Sequence, residues 1–169
     1  MTVNVSAILK EIGGRIELNG SVALRDADFL GESYSFREPL NIKGRISNTG
    51  QCLILKAVCE GNMTTRCARC MKTIEAPVEF EMDESLVQNN SESSYDGDVV
   101  VFEGSEVTID DLVMDNFLMN VEGRYLCSDD CKGLCPQCGA DLNAGECGCG
   151  KDDTDPRWSA LIDIMNKDK

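Results

Sequence analysis

Apolar and polar residues alternate through Leu40-Asn41-Ile42-Lys43-Gly44-Arg45-Ile46, as in a strand with one face in a core and the other in water. A turn at Asn48-Thr49-Gly50 leads into a second strand at residues 52–59. Gly61-Asn62 is expected to interrupt that strand with a bulge before Met63-Thr64-Thr65-Arg66. Residues 74–82 read as a third strand, with Val78, Phe80 and Met82 on one face, and residues 99–102 as a short fourth. The short connections predict an antiparallel meander. Upstream the pattern is weaker: residues 15–18 alternate briefly, and Asn19-Gly20 marks a turn. Residues 88–98 have no apolar period and read as a loop.

The period changes after Thr108. Leu112, Val113, Phe117 and Val121 share one helical face, widened by Met114 and Leu118, and Thr108 with Asp111 approximates a capping box. Asp110, Asp111 and Asp115 fall in the first two turns, where the helix dipole favours negative charge. This long helix is expected to end near Gly123. A final short helix is predicted from Asp155 as cap, Pro156 at the first position, and Trp158, Leu161, Ile162 and Met165 at helical spacing. The expected fold class is α+β: an antiparallel, curved or barrel-like sheet, then a long helix and a Cys-rich C-terminal segment. The expected divisions are an ill-defined segment 1–37, a sheet-plus-helix core 38–123, and a tail 124–169.

Ten cysteines and no histidine narrow the chemistry. Without histidine, Ser-His-Asp and Cys-His nucleophile arrangements cannot be built, and a transition-metal site must rest on thiolates. No basic, apolar leader is evident at Met1-Thr2-Val3-Asn4-Val5, and no run approaches a membrane span, so a cytoplasmic protein with reduced thiols is expected. Charge is uneven. Residues 1–80 carry 10 Lys+Arg against 9 Asp+Glu, a net of +1, whereas residues 81–169 carry 6 against 21, a net of −15. The acidic half repels phosphate backbones and suits a basic protein partner, or simply keeps the chain soluble.

The cysteines fall into groups. Cys135-Pro-Gln-Cys138-Gly139 has the spacing of a tight turn that aims two sulfurs at one point, and Gly139 can take the positive φ that ends such a turn. Cys147-Gly-Cys149 needs a sharp bend, which Gly145, Gly148 and Gly150 permit. Zinc takes four thiolates at about 2.3 Å, with sulfurs roughly 3.8 Å apart around a tetrahedron. Cys135, Cys138, Cys147 and Cys149 are thus the first predicted zinc site. Cys67, Cys70, Cys127 and Cys131 are a second, clamping the tail to the sheet. The competing arrangement draws Cys131 into the C-terminal cluster and leaves Cys127 spare, so one or two zinc ions per chain are expected. Cys52 and Cys59 read as small core residues or partly exposed thiols.

Five elements occur here in the order in which they occur in the YceD family. They are Cys67-Ala-Arg-Cys70, Ile109-Asp-Asp-Leu112, the run Cys131-Lys-Gly-Leu-Cys-Pro-Gln-Cys-Gly-Ala-Asp-Leu-Asn143, Cys147-Gly-Cys149, and Asp155-Pro-Arg-Trp158. The chain resembles that family over residues 40–166, and the run ending at Asn143 is the specific part. The resemblance implies a non-enzymatic accessory factor for accumulation or processing of large-subunit ribosomal RNA and ribosome assembly. It implies that zinc stabilises the fold, and it brings no catalytic residues. Expected partners are ribosomal precursor particles or a basic ribosomal protein. RNA contact is expected within residues 37–72, through Arg37, Lys43, Arg45, Lys56, Arg66, Arg69 and Lys72. Two other readings stand beside this one. The first is a zinc-ribbon adaptor for a basic protein. The second is an oxidoreductase built on Cys67 and Cys70, which lacks the βαβ pattern such enzymes carry.

Overall fold

A computed structural model describes residues 1–89 and 98–149, so the terminal helix expected from Asp155 and most of the 88–98 loop lie outside the described residues. In chain order the elements are β1 (Thr2–Asn4), α1 (Ser6–Leu9), β2 (Arg15–Val22), β3 (Ala27–Phe29), β4 (Glu32–Tyr34), β5 (Leu40–Asn48), β6 (Leu53–Arg66), β7 (Thr73–Gln88), β8 (Val100–Phe102), β9 (Glu106–Thr108) and α2 (Ile109–Asn120). The main sheet has the order β2-β5-β6-β7-β8, antiparallel except that β8 runs parallel to β7. β1 pairs with β9, which sets the N-terminal amine against the Asp110 carboxylate at the start of α2.

The period-2 pattern of β5 places Leu40, Ile42 and Ile46 fully inside, while Asn41, Lys43 and Arg45 face water. β6 and β7 do the same along a register unbroken from Leu53↔Leu86 to Arg66↔Thr73. No bulge therefore sits at Gly61-Asn62. Gly61 is needed for another reason: a Cβ there would lie 2.4 Å from a methyl carbon of Leu40, which crosses the strand at that point. β5 leaves β6 beyond Glu60, and Ser35 takes its place by bridging Thr64.

The sheet is not closed. Its edges, β2 and β8, do not pair, and β8 offers only three residues to β7, so the barrel-like expectation gives way to an open sheet. Gly44 allows the close approach of β5 to β6. A Cβ there would stand 2.2 Å from the Lys56 carbonyl oxygen and 2.5 Å from the Ala57 Cα, both backbone atoms that cannot swing aside. Gly44→Ala should therefore cost at least 1–3 kcal/mol, by order of magnitude, as core overpacking does. An unchanged urea midpoint would show that the strands part without cost.

The expected long helix is shorter than the sequence pattern suggested. α2 has 12 residues, and Val121 is already extended at φ −63° and ψ 130°. The apolar stripe fails after Leu118: Met119 is 84% exposed, and the Asn120 side chain turns back to donate to the Asn116 carbonyl. Thr108 makes no side-chain cap bond, so the capping box is not formed either. What α2 does supply is a plug. Phe117 is buried beneath Tyr34, Phe36 and Phe80, with ring centroids 5.6, 5.0 and 6.3 Å away. Residues 1–37 contribute β1, α1, β2 and the β3–β4 hairpin, and Val5, Val22 and Tyr34 join the same core. Among the described residues no helix is long and apolar enough to cross a membrane.

Candidate metal centres

The β6–β7 hairpin ends in a cysteine knuckle. Cys67 donates its N–H to the Lys72 carbonyl at 2.8 Å, and Met71 donates to the Cys67 carbonyl at 2.9 Å. Met71 holds the left-handed conformation, φ 60°. The same turn recurs in the tail, where Gly139 (φ 72°) donates to the Cys135 carbonyl at 2.8 Å. In each case residues between the cysteines fold tightly enough to aim both sulfurs the same way. Glycine takes this conformation without strain; the exposed Met71 takes it at a cost.

Beyond α2 the extended Val121 sends the chain back toward the hairpin tip. Ala68 donates its N–H to the Tyr125 carbonyl at 2.9 Å, which delivers Cys127 beside the knuckle. The Cys70 and Cys127 sulfurs are 3.6 Å apart, and those of Cys67 and Cys131 are 3.8 Å apart. These separations match the edge of a tetrahedron of thiolates about a metal, roughly 3.8 Å, and far exceed a disulfide bond of about 2.05 Å. Within Cys67, Cys70, Cys127 and Cys131, and again within Cys135, Cys138, Cys147 and Cys149, all four sulfurs lie within 4.8 Å of one another. Either group could hold a metal ion. Cys131 belongs to the knuckle group, so the arrangement that moves it into the C-terminal cluster is not the one formed. The first centre is sheltered, with Cys67, Cys70 and Cys131 buried against Ile74. In the second, Cys135 is buried and Cys138 exposed.

Each centre has one thiol that ionises easily and others that resist. Burial pushes the Cys67 thiol up, but backbone N–H groups of Cys70, Cys127 and Arg69 outweigh it and hold the group at about 6. Cys135 is lowered to about 6 chiefly by the N–H groups of Cys138 and Gln137. Around these anions the next thiols rise. Cys127 is pushed up to about 12, mainly by Cys131 and Cys70, and Cys149 to about 12, mainly by Cys138. Cys70 and Cys147 are raised as well. Four thiolates this close need a cation to coexist. Metal capture near neutral pH must displace protons from Cys70 and Cys127 in one centre and from Cys147 and Cys149 in the other. At least these two protons leave for each ion bound, so affinity should fall at least roughly 100-fold for each pH unit below neutrality. Competition titrations with a chromophoric chelator at several pH values would measure the slope, and a flat profile would exclude thiol ligands.

Cys52 and Cys59 stand apart from both groups and are buried. Burial raises Cys59 to about 11, and its sulfur packs 3.6 Å from that of Met82. Two important residues carried no spacing signal. Arg69 sits between Cys67 and Cys70, where the sequence suggests a side chain facing RNA. Its Nη1 instead donates to the carbonyls of Cys131 at 2.9 Å and Asp129 at 3.2 Å. Asn143 closes the specific run of the C-terminal segment. Its Nδ2 donates to the Cys131 sulfur at 3.5 Å, and its Oδ1 accepts the Lys132 N–H at 2.8 Å.

Residues 55–165 match the family described as "Large ribosomal RNA subunit accumulation protein YceD". An uncharacterized protein of Mycobacterium tuberculosis is 23% identical over 98% of this chain and 81% of its own length. The uncharacterized protein YlbN of Bacillus subtilis is 24% identical over 90% and 89% respectively. A chloroplastic protein of Arabidopsis thaliana named as a YCED homologue for large ribosomal RNA subunit accumulation is 32% identical over 38% of this chain and 20% of its own. No solved structure gives a significant match.

Proposed function

The chain belongs to the YceD family of large ribosomal RNA subunit accumulation proteins, and on that premise we propose that it is a non-enzymatic accessory factor in large-subunit ribosomal RNA processing and ribosome assembly. The family match across residues 55–165 carries the reading, because it runs from β6 through α2 into the cysteine-rich tail. The test is the ratio of large to small ribosomal RNA in cells lacking the protein. A lowered ratio, restored by the wild-type chain, is expected; an unchanged ratio overturns the role.

The metal fits this reading as a structural element. Two closed groups of four soft thiolates, with sulfur spacings suited to a tetrahedron, favour zinc. Cys67, Cys70, Cys127 and Cys131 would hold one ion, and Cys135, Cys138, Cys147 and Cys149 the other. Each ion supplies cross-linking rather than reaction chemistry, since four protein ligands leave no open position. An oxidoreductase would need Cys67 and Cys70 as a free pair, yet both are engaged with Cys127 and Cys131.

The acidic half, residues 81–169, suits a basic ribosomal protein, and the outer face of the sheet suits RNA. On that face Lys43, Arg45 and Lys56 line a depression of about 680 Å³ together with Glu17, Glu81 and Asp83. Lys56 is already paired with Asp83 at 2.7 Å, and Arg37 with Glu75 at 3.3 Å. Among the described residues Lys43 and Arg45 make no ion pair, as is also true of Arg66 and Lys72, so these are cations available to a phosphate backbone. Charge reversal at Lys43 and Arg45 should abolish co-sedimentation with ribosomal precursors while zinc content stays the same. Retained co-sedimentation would remove this face from the interaction. Arg69 is unsuited to such a test, because it supports the metal centre.

A further inference from the structure

We propose that the two metal centres form one thermodynamically coupled unit, joined by Arg69, Gly133 and Asn143, so that filling either strengthens metal binding at the other. The inference rests on the metal reading above and goes beyond it, since two sites in one chain need not interact.

Contacts made by three residues join the centres. Asn143 lies in the loop between Cys138 and Cys147, so its position depends on the second centre. Its amide nevertheless donates to the sulfur of Cys131, a ligand of the first, and accepts the N–H of the adjacent Lys132. Arg69 makes the connection from the other side. It lies between Cys67 and Cys70, its side chain holds the carbonyl of Cys131, and its own carbonyl accepts the N–H of Leu134, one residue before Cys135. Gly133, at φ 76°, lies between them. A Cβ there would be 3.0 Å from the Arg69 carbonyl oxygen, so the two backbones are in direct contact. Gly133 also accepts the N–H of Leu142, from the second centre's loop.

The segment linking the centres is thus held on one side by the hairpin knuckle and on the other by the second centre's loop. Between Cys131 and Cys135 stand only three residues, too few to act as a flexible spacer. Ordering the first centre fixes Leu134 and places Cys135. Ordering the second fixes Asn143 and places a hydrogen bond on the Cys131 sulfur. That bond stabilises the thiolate and orients it, as outer partners of metal ligands do. Asn143 and Arg69 act as positioning residues and touch no metal themselves. Linkage requires the effect to be reciprocal.

The test uses the full-length, reduced chain and zinc alone, with affinities from chelator competition and stoichiometry from native mass spectrometry. In a Cys147→Ser/Cys149→Ser variant the first centre should bind zinc about 5–150-fold more weakly than in wild type, the range typical of coupled sites. In a Cys67→Ser/Cys70→Ser variant the second centre should weaken by the same factor. Asn143→Ala, which leaves all eight thiols in place, should still take two ions but with the coupling reduced. Its cobalt-substituted first centre should show a thiolate charge-transfer band shifted to lower energy, because the Cys131 sulfur has lost its N–H donor. Unchanged affinity at the surviving centre of both double variants overturns the coupling while leaving the metal reading intact. A wild-type chain that takes no zinc overturns both.

Discussion

Removing metal from the intact protein with a chelator should free residues 126–149 from the sheet while the sheet itself stays folded. The two regions have separate sources of stability. The large core runs from Val3 to Phe117 and includes none of the eight clustered cysteines, whereas the cluster beneath the knuckle contains only three cysteines and Ile74. A tail with so little apolar burial cannot offset the cost of ordering its backbone. Metal can: apparent zinc-binding energies at structural sites are on the order of 10–16 kcal/mol at neutral pH. Hydrogen exchange or limited proteolysis should show tail amides losing protection to the level of an unfolded peptide. Amides of β5, β6 and β7 should keep theirs. A tail equally protected with and without metal would refute the clamp.

The second large effect should come from Phe117→Ala. The ring is buried and meets three other aromatic rings, two of them edge-on with interplanar angles of 80°. Truncation removes the transfer energy of the ring and leaves a cavity between α2, β4 and β7. A cost of about 3–5 kcal/mol is expected. Because whole domains are stable by only about 5–15 kcal/mol, this variant should be near the edge of folding. Met119→Ala, two residues away and 84% exposed, should change stability by less than about 0.5 kcal/mol. Urea titration of the pair would decide. Similar midpoints would mean that α2 is not the plug that closes the core.

How much of this could be read from sequence follows from the range of each interaction. Strands β5, β6 and β7 are legible because burial on one face imposes a period of two, and Leu40, Ile42 and Ile46 obey it. The cysteine groups are legible because metal geometry restricts spacing within each pair. The helix end was misplaced because Val121 and Gly123 continue an apolar and a terminating pattern that the chain does not use. It turns earlier to reach Ala68, a contact across more than fifty positions that no local pattern records. Gly61 suggests a bulge in sequence, yet what demands glycine there is the side chain of Leu40 on the neighbouring strand. Arg69 was misread for a related reason: an arginine on a turn looks solvated until the segment that covers it is in place.

The first centre also has an order of assembly written into it. Cys67 and Cys70 meet as soon as the β6–β7 hairpin closes, but their partners follow them by 64 and 57 positions. A chain made from its N-terminus folds the early part first. The open dithiol on the hairpin therefore waits, and the ion is captured only after α2 and the turn behind it have emerged. Closure of that clasp marks a chain made past Cys131: a product cut short after α2 would keep its sheet and leave the knuckle unsealed.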